Sequence, residues 1–189
     1  MKRKILLLAA FALCAAIVTT GSYAFFRAVG TGHNVITSGR VGIAILNKLG
    51  LGVPSALVED FPEGGMKLLP GDTVYNSISV RSTEEEPIWV RVKAEVVTGR
   101  QGLRPGTLLT LDLNTEKWVA GSDNYYYYKE SVPAGAATEP LIRSISVSGE
   151  MGDAYQGCAI GLEIMAEAVQ QANNPAPNGD VTAVAGWPN

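Results

Sequence analysis

The chain has 189 residues, 47% of them hydrophobic and 17% charged, with 15 basic against 18 acidic side chains and a formal charge of −3. That balance gives no electrostatic footprint for nucleic acid. One histidine and two cysteines cannot assemble a histidine- or cysteine-based zinc site of the usual ligand count, nor a disulfide-stapled miniature. The length suits one domain with a sizeable core, with room for a terminal segment.

Residues 1–4 (MKRK) are basic, residues 5–18 form an unbroken apolar run of 14, and Ser22-Tyr23-Ala24 follows. This is the layout of a secretory leader, with small residues Ser22 and Ala24 at the positions a signal peptidase reads. Cleavage after Ala24 is expected, and the product is a secreted chain. An uncleaved membrane anchor is the alternative reading, but 14 apolar residues fall short of the roughly 20 that span a bilayer. The mature chain then has 165 residues starting at Phe25, 12 basic and 18 acidic side chains, and a charge of −6. Cys14 leaves with the leader, so Cys158 cannot form an internal disulfide. Lying beside an apolar run, Cys158 reads as a small buried hydrophobe, with an intermolecular bridge or reactive thiol as the alternative.

Residues 25–35 read as an extended N-terminal segment. Phe26, Ala28, Gly30 and Gly32 alternate with Phe25, Arg27, Val29 and Thr31. Weak strand patterns follow at 34–46, 107–113, 117–120 and 125–129. Stronger ones lie at 72–81, where Val74, Ile78 and Val80 share a face that Asn76 interrupts, and at 87–97. There Ile88, Val90, Val92, Ala94 and Val96 alternate with Trp89, Arg91, Lys93 and Glu95. Residues 140–148 set Leu141, Ile145 and Val147 against Ser144, Ser146 and Ser148. Residues 159–169 set Ile160, Leu162, Ile164, Ala166 and Ala168 against Gly161, Glu163, Met165 and Glu167; the period of two favours a strand over a helix there. Turn residues separate these runs at 63–65, 70–72, 104–106 and 133–135. The expected fold is an all-β antiparallel sandwich of Ig-like or jelly-roll type. Its expected boundaries are a leader at 1–24, an extended segment at 25–35, the sandwich at 36–170 and a loose tail at 171–189, within which residues 181–187 could dock as a short element.

Candidate chemistry is sparse. His33 has no nucleophile placed for a triad, and HExxH, Walker and Rossmann patterns are absent. The acidic run Glu84-Glu85-Glu86 lacks EF-hand spacing, and no carboxylate pair for glycoside hydrolysis stands out. Trp89, Trp118 and the tyrosines at 125–128 could form a platform for polysaccharide, although in a strand alternate tyrosines turn inward to the core. No catalytic residue, metal ligand or cofactor is assigned.

Residues 20–26 (TGSYAFF) with 33–39 (HNVITSG), then LPGD at 69–72, PIWVRVK at 87–93, Trp118 with the tyrosines at 125–128, Pro140-Leu141 and AEAVQ at 166–170 resemble the TasA/camelysin family. These are secreted bacterial proteins with leaders cut by SipW-type signal peptidases. The resemblance implies a jelly-roll sandwich and a structural role as a subunit of biofilm-matrix fibres. It implies a homopolymer in which the N-terminal segment of one subunit, here Phe25, Phe26, Arg27, Ala28, Val29, Gly30, Thr31 and Gly32, completes the sheet of its neighbour by strand addition. Other matrix proteins or polysaccharide are the further partners it implies, with no membrane association after cleavage. Camelysin has also been classed as a metallopeptidase, for which His33 and scattered carboxylates offer little.

Overall fold

The computed structural model describes residues 26–28, 41–51, 66–98, 109–150, 155 and 157–187. The expected leader, Phe25 and residues 29–40 lie outside them, as do the turns expected at 63–65 and 104–106. Among the described residues no helix is long and apolar enough to cross a membrane.

The fold is an all-β sandwich of two sheets. The described strands are β1 (Phe26–Ala28), β2 (Ile43–Leu51), β3 (Met66–Leu68), β4 (Thr73–Ser82), β5 (Ile88–Thr98), β6 (Leu109–Leu113), β7 (Trp118–Ala120), β8 (Tyr126–Tyr128), β9 (Ile142–Val147) and β10 (Ala159–Gln170). A six-stranded sheet runs β3-β1-β10-β5-β8-β7, and a four-stranded sheet runs β2-β4-β9-β6. β10 pairs with β5 over eleven positions and β2 with β4 over nine, both antiparallel.

The alternation in β5 and β10 dictates which side chains meet between the sheets. Ile88, Val90, Val92, Ile164, Ala166 and Ala168 are buried with Ile78, Val80, Ile142, Trp118 and Tyr128. β4 turns Asn76 inward with its neighbours, and it is buried with its side-chain oxygen unpartnered. β9 departs from simple alternation. Its pairings with β4 and β6 shift register between Ile142 and Ser144, and the adjacent Leu141 and Ile142 are both fully buried. Leu141 lies just before the strand and is tied by backbone hydrogen bonds to Ile78 and Asn114. An irregularity of this kind switches the alternation, so that Ile142 and Ile145, three residues apart, both meet the core.

The turn before β4 is fixed by Pro70-Gly71. The Asp72 N–H donates to the Leu69 carbonyl at 3.0 Å with Gly71 at φ +90°, a conformation that glycine adopts without steric cost. Cys158 is buried at the head of β10, in line with the small-hydrophobe reading. β3 has no counterpart in the sequence reading: three residues are too few to show a period. In the segment expected to be a loose tail, residues 181–187 dock, as the short element considered for them would. Residues 171–187 form two short 3-10 turns at Pro177–Gly179 and Val181–Ala183, and they pack on the outer face of the six-stranded sheet. Val181 and Val184 are buried there with Trp89, Tyr127 and Val169.

Candidate functional site

Two places in the molecule are candidates for a functional site. The first is the position of β1. Its neighbours are β3 on one side, with Phe26, Arg27 and Ala28 opposite Leu68, Lys67 and Met66, and β10 on the other. Against β10 it runs parallel, with Arg27 and Ala28 opposite Ala159 and Ile160. β1 therefore occupies an inner position of the sheet rather than an edge, and among the described strands it is the only sheet neighbour of β3. Of the segment singled out in the sequence, Phe26, Arg27 and Ala28 are strand residues of the same domain. Phe25, Val29, Gly30, Thr31 and Gly32 lie outside the described residues, as do Ser22, Ala24 and His33.

The second is a polar and aromatic cluster on the outer face of that sheet. Arg91 of β5 and Glu167 of β10 are directly opposite in register. Arg91 Nε and Nη2 both donate to Glu167 Oε2, at 2.7 and 2.6 Å, while Glu167 Oε1 accepts from the Tyr125 hydroxyl at 3.1 Å. Arg91 Nη1 donates to Asp123 Oδ2 at 3.1 Å and to the Tyr127 hydroxyl at 3.2 Å, and that hydroxyl donates to Asp123 at 2.6 Å. The turn joining β7 to β8 positions Asp123: its Oδ1 accepts the Tyr125 N–H at 3.2 Å, and Asn124 takes a positive φ of 66°. The Arg91 guanidinium lies 4.0 Å from the Tyr125 ring centre and 4.7 Å from that of Trp187, within cation–π range.

Burial and pairing set the protonation of the cluster. Burial alone would lower the Arg91 guanidinium, but hydrogen bonds to Tyr127 and Glu167 and the Glu167 charge hold it above its ordinary value. Burial raises Asp123, yet the Tyr127 hydroxyl, the Tyr125 N–H and the Arg91 charge outweigh this and hold it below the ordinary carboxylate range. Burial, reinforced by the neighbouring carboxylates, pushes both Tyr125 and Tyr127 up. At neutral pH the Arg91 guanidinium and the Asp123 carboxylate are thus charged and both tyrosine hydroxyls are neutral donors, an internally satisfied arrangement that suits a clamp.

The C-terminal segment closes over this clamp. Trp89 Nε1 donates to the Asn174 carbonyl at 2.8 Å, the Gln171 N–H donates to the Pro87 carbonyl at 2.9 Å, and Trp187 meets Tyr127 edge-on at 5.6 Å. The aromatic residues considered as a polysaccharide platform are accordingly divided. Trp118 and Tyr128 face the core, with Trp118 Nε1 donating to the Glu139 carbonyl at 3.1 Å. Trp89 and Tyr127 face outward but are buried beneath residues 181–187, so the rings form no open stacking surface. Among the described residues, no three histidine, cysteine, aspartate or glutamate side chains are grouped so as to hold a metal ion. Of the acidic run, Glu84 accepts a hydrogen bond from the Gly42 N–H and serves to dock the loop.

The sequence reading did not find the Arg91–Glu167 clamp. The two residues are 76 positions apart, and on paper each is an ordinary solvent-side charge of an alternating strand. The nearest signal was that both belong to the two longest alternating runs.

Comparison with known proteins yields no relative: no family model matches the chain, and neither a curated protein nor a solved structure matches it.

Proposed function

We propose that this chain is a secreted, non-enzymatic structural subunit of extracellular matrix fibres of the biofilm kind, joined by addition of the N-terminal strand to the sheet of a neighbouring copy. The leader-like first 24 residues and the resemblance to the TasA/camelysin family motivate the location and the role. The jelly-roll connectivity that the resemblance implies belongs to the same proposal.

The observation that carries the reading is the placement of β1. Phe26–Ala28, one residue past the expected cut, form a strand, and it lies between two other strands rather than at an edge. A segment at the very start of the mature chain with this pairing capacity is what strand addition requires: backbone groups that bind on both sides, and alternating side chains that set the register. The polysaccharide-binding alternative finds less support, because the rings it needs are packed in the core or under the C-terminal segment.

Negative-stain microscopy of the mature protein with and without residues 25–35 tests the proposal. Fibres from the complete chain and monomers from the shortened one are expected. Monomers from the complete chain under all conditions of salt, pH and concentration would sink it.

A further inference from the structure

The C-terminal segment that covers the clamp carries a reactive pair that its docking does not use. Asn178 is the one asparagine of the sequence followed by glycine, and it lies in the first of the two 3-10 turns. Asn178 and Gly179 are both exposed, and among the described residues the Asn178 side chain has no hydrogen-bond partner. Their φ angles are 52° and +80°, the left-handed region that asparagine and glycine tolerate. The space beside Gly179 is open, since an added Cβ would meet nothing within 4 Å. The other described asparagines are placed differently. Asn47, Asn76 and Asn114 are half-buried or buried, and Asn124 precedes Tyr125, whose N–H is held by Asp123. The amides of Asn173 and Asn174 donate to Gln170, and Asn174 precedes a proline, which has no N–H.

We infer that Asn178-Gly179 is a self-modifying site, where the chain deamidates and thereby releases its own C-terminal segment. The Gly179 backbone nitrogen attacks Asn178 Cγ: the N–Cγ bond forms, the Cγ–Nδ2 bond breaks, and the displaced proton leaves with Nδ2 as ammonia. Water then opens the five-membered imide. Addition at the Asn178 main-chain carbonyl breaks its bond to the Gly179 nitrogen and leaves an isoaspartyl link, whereas addition at Cγ leaves aspartate. Glycine has no Cβ to obstruct the closing ring. The restraint on the nucleophile is one hydrogen bond, from the Gly179 N–H to the Ala176 carbonyl at 3.2 Å, at the long end of the normal range and in a 3-10 turn, where alignment is poor. Breaking it frees both the nitrogen and the Asn178 ψ angle, which stands at 23°. Neither step needs a second copy of the chain.

The 178–179 link lies between the points that fasten the segment. Upstream, the Asn174 carbonyl accepts Trp89 Nε1; downstream, Val181 and Val184 are buried. The hydrogen bonds from Gly179 to Ala176 and from Asp180 to Pro177 both close across this link. An isoaspartyl link adds a methylene to the backbone inside both rings and places a free carboxylate close to Asp180. The turn that aims Val181 at the sheet is lost, while the core between the sheets is untouched.

The test ages the folded mature chain at mildly alkaline pH and maps it by peptide mass spectrometry, with isoaspartyl methyltransferase marking the isoaspartyl product. Conversion is expected at residue 178 ahead of every other asparagine. It is expected to be absent there in Asn178→Gln, whose longer side chain must close a larger ring. The isoaspartyl form, separated by ion exchange, is expected to exchange its Val184 amide about tenfold faster than the fresh chain or more, while Val90 and Val92 keep their protection. Fresh Asn178→Asp adds the charge without the longer backbone and is expected to keep Val184 at the wild-type rate. Retention of the Asn178 amide while another asparagine converts would overturn the site. An isoaspartyl chain with unchanged Val184 exchange would overturn the release, and an equally fast Asn178→Asp chain would overturn backbone lengthening as its cause.

Discussion

The guanidinium carbon of Arg91 lies 4.7 Å from the ring centre of Trp187, a residue 96 positions further along the chain. This contact fastens the end of the chain to the sheet that carries the N-terminal strand. Beneath it, Arg91 is held by Glu167 on the neighbouring strand, so the Trp187 ring rests on an ion pair that the two longest strands of the sheet build together.

Arg91→Ala leaves the Glu167 carboxylate buried at 5% exposure without its cationic partner. Removing one member of such a pair typically costs about 3–5 kcal/mol. Urea denaturation should show a loss of this size, and a loss below about 1 kcal/mol would contradict the clamp.

Trp187→Ala should release the C-terminal segment while sparing the core, because Trp187 is half-buried and packs on the outer face alone. Cation–π and edge-to-face contacts of this kind contribute about 1–3 kcal/mol together. Amide exchange at Val181 and Val184 should rise strongly, while Val90 and Val92 keep their protection. Gly186→Ala should act the same way. Gly186 has φ +79°, and an added Cβ would collide with Asn174 Oδ1, so both backbone and space resist the change.

The clamp should weaken at both ends of the pH scale. Asp123 has its pKa lowered in the folded state. Its contribution is present above the ordinary aspartate value of about 4 and is lost as pH falls through the lower, folded value. Tyr125 and Tyr127 are raised. Their contribution is complete below the ordinary tyrosine value of about 10 and is lost as pH rises toward the folded values. Urea midpoints measured against pH should show a plateau between these limits. Asp123→Asn should flatten the acid limb, and an unchanged limb would exclude Asp123 as its source.

On the uncovered half of the same face, Glu163 and Glu95 are directly opposite. Both are exposed, and Glu95 already pairs with Lys93. Like charges in this position are unfavourable, so Glu163→Lys should stabilise the fold by about 0.2–1 kcal/mol at low salt, with the gain fading as salt is added. A thermal melt at two ionic strengths measures it.

Which parts of this molecule can be read from sequence follows from how each is stabilised. β5 and β10 are legible because each buries one face along its whole length, so Val90, Val92, Ile164 and Ala166 repeat with the period of the backbone itself. β9 is only partly legible, since the register shift between Ile142 and Ser144 breaks the period and brings Ile142 and Ile145 to the same core. The C-terminal segment has no period: it docks through Val181, Val184 and Trp187 from within a stretch rich in proline, asparagine and glycine. The clamp is invisible for a related reason. Glu167 sits at a solvent-side position of β10, and it is burial by a distant segment that turns an ordinary surface charge into a structural one. β1 was legible as extended chain, but its destination between β3 and β10 depends on pairings that three residues cannot encode alone.

The most direct measurement mixes two mature chains, one carrying Ala28→Cys and the other Met66→Cys, with one chain isotopically heavy. The mixture is allowed to assemble, oxidised, and mapped by mass spectrometry. Strand addition into the slot between β3 and β10 predicts bridges joining residue 28 of one isotopic form to residue 66 of the other, abundant in fibres and scarce in unassembled protein. Fibres that form normally and contain no such bridge would contradict the account.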